Sequence, residues 1–153
     1  MRVPYVAVIG PGDADVATLA AAEAVGRGLG EAAATLVCGG LGGVMEAACR
    51  GAREAGATTI GLLPGGDRSA ANPWVSVAIP TGLGELRNGL VVRAADVVIA
   101  VGQGFGTLSE IALALKLGRP VVGLGTWDIG APVASVSDPE EAVARALHFV
   151  TEL

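Results

Sequence analysis

The sequence predicts an α/β fold, a doubly wound and mostly parallel sheet with helices on both faces. Three observations carry this. Short apolar runs rich in β-branched residues alternate with Ala-rich helical segments along the whole chain, and strand then helix, repeated, is the pattern of a parallel sheet. The runs Val97–Val101 and Val121–Leu124 are apolar without alternation, as strands buried on both faces require. Gly-rich turns follow the first, second and fifth strands, and each leads towards a helix.

The elements follow in order. Val3–Ile9 reads as the first strand, broken by Gly10-Pro11-Gly12. Asp13–Leu29 is helical, with Asp13 or Asp15 able to cap it. Thr35–Cys38 is the second strand, ended by Gly39-Gly40-Leu41-Gly42-Gly43, and Val44–Ala55 is a helix stopped by Gly56. Thr58–Leu63 is a strand stopped by Pro64-Gly65-Gly66, and Asp67–Pro73 is loop. Val75–Ile79 is a short strand before Pro80, and Gly84–Ala94 is helical. Asp96–Val101 is a strand, Gly102–Gly106 a turn, and Thr107–Leu117 a helix stopped by Gly118 and Pro120. Val121–Leu124 and Val133–Val136 complete the strands. Asp138 caps a last helix running through His148, with Pro139 at its first position. Residues 1–153 are read as a single Rossmann-like domain, a size that buries a full core without a disulfide or metal staple.

Composition excludes several functions. The net charge is −5, the one lysine is Lys116, and no basic run exists; a phosphate-neutralising face for nucleic acid is not expected. Aromatics are 3%, too few for single-strand stacking surfaces. Charges and glycines interrupt every apolar stretch before it reaches the length of a membrane span. No signal-peptide plan is visible, so the chain is read as cytoplasmic. Cys38 and Cys49 form no CxxC, and His148 is the one histidine; no metal site of the usual spacing is expected. Both cysteines read as small buried hydrophobes, and His148 as a surface residue. Charged residues are only 16%. The apolar surplus is assigned to an interface between copies, a homodimer or homotetramer.

The Gly-rich turns point to phosphate. In such sheets ligands bind beyond the carboxyl ends of the strands. A helix N-terminus offers free N–H groups and partial positive charge to an anion, and glycine lets the anion approach the backbone. This lets an acidic chain with one lysine bind phosphate. The familiar nucleotide motifs fail. Lys116 is flanked by Leu115 and Leu117, so there is no P-loop. Asp15 stands where a dinucleotide fingerprint needs its third glycine, and Cys38-Gly39 where it needs an acid. Lys116 sits near a helix end, a poor place for a pyridoxal-phosphate Schiff base.

Gly102-Gln103-Gly104-Phe105-Gly106-Thr107-Leu108-Ser109-Glu110 resembles the Pro-Gly-Gly-x-Gly-Thr-x-x-Glu motif of the Lonely Guy (LOG) family, phosphoribohydrolases long mislabelled as lysine decarboxylases. Gly39-Gly40-Leu41-Gly42-Gly43-Val44-Met45-Glu46-Ala47 is similar to that family's second glycine block, and Arg87 to its catalytic arginine. The resemblance spans about residues 3–150, and it is the combination of the three blocks that makes it specific. The stretches Ile79–Asn88 and Leu124-Gly125-Thr126-Trp127 resemble a short bacterial branch akin to the molybdenum cofactor carrier proteins, which bind a phosphorylated pterin. The motif's Pro and first Gly are Gly102 and Gln103 here, and Asn88 replaces the basic residue after the arginine.

The resemblance implies a phosphorylated, nucleotide-like ligand. As an enzyme the chain would hydrolyse the N-glycosidic bond of a nucleoside 5′-monophosphate. Arg87 and Glu110 would then be catalytic, the carboxylate stabilising an oxocarbenium-like transition state. Gly10, Gly12, Gly40, Gly42, Gly43, Gly104, Phe105, Gly106 and Thr107 are the ligand- and phosphate-binding candidates. Met45, Asn88 and Glu46 stand beside them. The alternative is a non-catalytic carrier of molybdenum cofactor or a nucleotide sensor. Neither needs a cofactor for chemistry; Mg²⁺ can accompany the ligand phosphate. Plainer roles stand beside these. Thr107 and Glu110 have capping-box spacing, Arg87 can pair with a surface acid, Glu46 can be a solvated first-turn residue, and Trp74 and Trp127 can be core or interface.

Overall fold

The computed structural model describes residues 2–130 and 132–153. Its strands are β1 (Tyr5–Ile9), β2 (Thr35–Cys38), β3 (Thr59–Leu63), β4 (Val77–Pro80), β5 (Val97–Val101), β6 (Val121–Leu124) and β7 (Val133–Val136). Its helices are α1 (Val16–Glu31), α2 (Val44–Glu54), α3 (Asn88–Ala94), α4 (Phe105–Lys116) and α5 (Pro139–Thr151). The strands form one sheet in the order β4-β3-β2-β1-β5-β6-β7, every pair parallel. This is the α/β, Rossmann-like fold expected.

Two cores flank the sheet. Val6, Val8, Leu36, Val97 and Ile99 point to one face and pack with α1, α2 and α5. Ala7, Ile9, Val37, Val98 and Ala100 point to the other and pack with α3 and α4. Successive side chains of a strand alternate faces, so central strands must be apolar throughout to fill both cores. Each fully buried Val, Leu or Ile contributes roughly 1.5–3 kcal/mol over its exposed state. Helices α1 and α2 meet backbone to backbone. A Cβ on Gly26 would lie 1.9 Å from the Ala48 carbonyl oxygen, and one on Gly51 2.1 Å from that of Glu23.

Several element boundaries differ from expectation. β1 starts at Tyr5 because Pro4 has no N–H to give, although its carbonyl accepts from Thr35. Asp15, not Asp13, caps α1 through the N–H of Thr18. A single-turn 3-10 helix, Arg68–Ala70, lies within the predicted loop. β4 begins two residues late, because Asn72 draws Trp74 and Val75 into a turn, and it runs through Pro80, which an edge strand tolerates. The predicted helix Gly84–Ala94 is a 3-10 turn, Gly84–Arg87, followed by α3. Gly84 has φ +59°, outside the α-helical region, and its N–H is fixed to the Pro64 carbonyl, so a continuous α-helix cannot begin there. Helix α4 starts at Phe105, two residues before the predicted Thr107. Among the described residues, no helix is long and apolar enough to cross a membrane.

The chain winds outward from β1 to β4, then returns to place β5 against the other side of β1. Loops leaving β1 and β5 therefore part in opposite directions. The crevice they leave at the carboxyl end is the place where such sheets take ligands.

Candidate functional site

A cavity of about 330 Å³ occupies that crevice. Gly10, Pro11 and Gly12 from the β1 turn form one side, and Gly104, Phe105, Gly106, Thr107 and Glu110 the other. Leu41 and Met45 close the β2 side, and Arg87 and Asn88 come in from the start of α3. A larger cleft of about 630 Å³ lies between α1 and α5 and holds none of the sequence-predicted site residues.

The start of α4 is the most polar wall. Gly104 is the N-cap and supplies no side chain to the N–H groups of the first turn. Leu108 is the first residue to bond within the helix, to the Gly104 carbonyl at 2.9 Å. The N–H groups of Phe105, Gly106 and Thr107 are thus left for an external acceptor. Thr107 is the third helical residue rather than a cap, and its hydroxyl is buried without a hydrogen-bond partner among the described residues. The capping box that its spacing to Glu110 allows does not form. The α1 N-terminus differs: Asp15 already occupies it.

Arg87 is half-buried and clamped by oxygens that carry no full charge. Its Nε–H donates to the Leu62 carbonyl at 2.9 Å, one terminal nitrogen to the Gly39 carbonyl at 3.4 Å, and the other to the Asn88 side-chain oxygen. Among the described residues no carboxylate lies within ion-pair distance of it. Its charge stays uncompensated, and two of its five N–H donors remain free. The fit needs Gly39, where a Cβ would lie 2.7 Å from the guanidinium nitrogen. Asn88 is buried and donates onward to Ser109 Oγ at 3.1 Å, joining α3 to α4.

Glu110 is buried on α4, one turn below the open N–H groups. Burial pushes its carboxyl up to about 8, against the opposing pull of Arg87. It is therefore mostly protonated at neutral pH.

The remaining candidates support or flank this cradle. A Cβ on Gly10 would lie 2.4 Å from the Val101 carbonyl oxygen, so Gly10 lets β1 pass β5 and α2. Gly43 has φ +66° and sits against the Pro11 carbonyl, which accepts from Val44 N–H at 3.1 Å. Gly40 is buried beneath Leu63, and Gly42 faces Gly12; these two and Gly43 shape the second glycine block without lining the cavity. Asn72 pins that block by donating to the Leu41 carbonyl at 2.9 Å. Glu46 is exposed in a separate groove with Glu23, Arg50 and Trp74, outside the cradle. Trp74 lies under the Arg50 guanidinium there. Cys38 and Cys49 are both buried with sulfurs 3.5 Å apart, and the neighbouring sulfur and burial hold the Cys49 thiol above its ordinary range. His148 is at the surface and bonds Glu152.

Sequence reasoning did not single out Leu41, Pro11 or Gly39 for this site. Each lies inside a Gly-rich turn, and the strand-end rule applied residue by residue reaches all of them. Trp127, just beyond β6, stacks on Phe105 at the cavity mouth.

The profile of the SLOG cluster4 family matches residues 3–150. A molybdenum cofactor binding protein from the phototrophic bacterium Rippkaea orientalis superposes with a TM-score of 0.93 at 38% identity, over 98% of this chain and 99% of that one. The Moco Carrier Protein from Chlamydomonas reinhardtii superposes with a TM-score of 0.89 at 38% identity, over 99% of this chain and 100% of that one. An uncharacterized protein of Archaeoglobus fulgidus is 38% identical over 94% of each chain.

Proposed function

The chain belongs to the SLOG cluster4 family, and from that premise we propose that it binds and carries a phosphorylated pterin of the molybdenum-cofactor kind. The observation that carries this is the wall at α4. Open N–H groups, an orphaned buried hydroxyl on Thr107 and an uncompensated guanidinium on Arg87 face one cavity. A phosphate supplies the acceptor oxygens that all three lack. In this reading Thr107 Oγ–H and the N–H groups of Phe105–Thr107 donate to the phosphate. Arg87 adds charge and a fixed pair of donors. Gly104 and Gly106 let the phosphate reach the backbone. Glu110, carrying a proton, adds no repulsion to a dianion beside it. The likeness to proteins described as binding or carrying molybdenum cofactor favours this cargo over a nucleotide.

Hydrolysis of a nucleoside 5′-monophosphate is the second reading, favoured by Arg87 and Glu110 lining one cavity. Glu110 argues against it at neutral pH, since a protonated carboxyl cannot stabilise a developing oxocarbenium ion as a carboxylate does.

Titration calorimetry with a pterin phosphate and its dephosphorylated form tests the first reading. The phosphate form should bind, and Arg87→Ala and Thr107→Val should each weaken it about 10-fold or more, the scale of a lost charge-assisted hydrogen bond. Equal affinity for both forms would refute it. Chromatography of 5′-monophosphates incubated with the protein tests the second: release of free base, lost in Glu110→Gln, would establish the hydrolase instead.

A further inference from the structure

We propose that Phe105, backed by Trp127, is a stacking platform for a flat, fused heterocycle on the ligand whose phosphate the α4 cradle holds; this rests on the reading of that cradle as a phosphate site. The chain has only two Phe, two Trp and one Tyr. Two of these five meet at the mouth of this one cavity. Phe105 is 83% exposed and lines the cavity, so one face of its ring is open to a ligand. Its other side is supported: the Phe105 and Trp127 rings stack with centroids 5.9 Å apart and planes 28° from parallel.

The platform is tied to the phosphate wall. Trp127 Nε1–H donates to the Gly104 carbonyl at 2.9 Å, and Gly104 opens α4. Phe105 itself bears the first of the open N–H groups. A phosphate held there leaves the rest of its molecule within reach of the Phe105 ring. Aromatic faces prefer offset stacking on other flat rings, and such contacts tolerate the identity of the ring because every heterocycle presents a π-face. The ligand class this predicts is a phosphate joined by a short linker to a planar bicyclic ring.

The test uses the full chain and two probes that share a phosphate, guanosine 5′-monophosphate and ribose 5-phosphate, with wild type, Phe105→Ala and Phe105→Tyr. Guanosine 5′-monophosphate should bind about 10-fold more tightly than ribose 5-phosphate, the scale of one base on one aromatic ring. Phe105→Ala should erase that advantage, so that the two probes bind it with similar affinity. Phe105→Tyr should keep the advantage. Phe105 is exposed, so its replacement removes no core packing, and thermal melting of each variant checks that the fold is kept. If ribose 5-phosphate binds but the ring adds nothing, or if Phe105→Ala keeps the advantage, the platform is refuted and the cradle survives. If neither probe binds, both fall. A variant that changes only the sedimentation of the protein would make Phe105 a contact between copies and overturn the platform.

Discussion

At the scale of single residues, Glu110 couples the site to pH. Its folded value of about 8 lies above the ordinary 4.5. Between these two values the folded state holds a proton that the unfolded state has released. That contribution to stability is full below about pH 4.5, declines as pH rises towards 8, and is gone above it. At ~1.36 kcal/mol per unit the decline is on the order of 5 kcal/mol. Melting of the wild type should therefore fall across this window, whereas Glu110→Gln should lack that component. Parallel curves for the two proteins would show that the buried carboxyl is ionised throughout. Binding of a phosphate should weaken above pH 8 in the wild type alone, as a carboxylate forms beside it. The sequence carried only half of this. Glu110 and Arg87 were legible through a resemblance. Nothing in their residue types or spacing shows that one is buried and protonated and the other clamped by carbonyls from β3 and the β2 turn, since both states arise from contacts between segments distant in the chain.

At the scale of elements, the glycines divide into those that build the turns and those that leave room in them. Gly10→Ala would press a Cβ to 2.4 Å from the Val101 carbonyl, and Gly43→Ala would add the same clash against Pro11 to a φ of +66°. Each should cost about 2 kcal/mol or more of stability, read from urea unfolding. A Cβ on Gly12 meets nothing within 4 Å. Gly12→Ala should unfold like the wild type, so any affinity it loses for a phosphate probe belongs to the cavity itself. Equal stability of Gly10→Ala and Gly12→Ala would contradict this division. The sequence shows the same glycines without sorting them. It also placed the strands and helices well where a hydrophobic run meets a clear stop, as at Thr35–Cys38 and Val121–Leu124. It misplaced them where a side chain rewrites the local geometry. Asn72 delays β4, and the fixed Gly84 turns the predicted single helix into a 3-10 turn that delivers Arg87 to the cavity. The start of α4 at Phe105 had the largest consequence, because it moves Thr107 from the cap into the first turn and leaves the N–H groups open.

At the scale of the whole molecule, the low charge of the chain needs an explanation that the fold supplies only in part. Some of the 24 glycines are consumed where α1 and α2 touch backbones. The stretch from β4 into α3 is another matter. Val77, Ile79, Leu83, Leu86 and Leu90 are all exposed there, Leu86 by 77%. An edge strand with open hydrogen-bonding groups lies in the same stretch. Apolar side chains gathered on one segment of a chain with few charges favour burial against a second copy. The protein is therefore expected to sediment as a dimer or larger assembly at micromolar concentration, and Leu86→Glu combined with Leu90→Glu should shift it towards monomer. A wild type that stays monomeric over that range would refute this. The same stretch carries Arg87 and Asn88 between Leu86 and Leu90, so association would brace the turn that presents the guanidinium. Ligand affinity should then rise with protein concentration, because a ligand that binds the associated form better must by linkage also promote association. Measuring phosphate-probe binding above and below the dissociation midpoint decides it: equal affinity in the two regimes would leave the assembly without influence on the cradle.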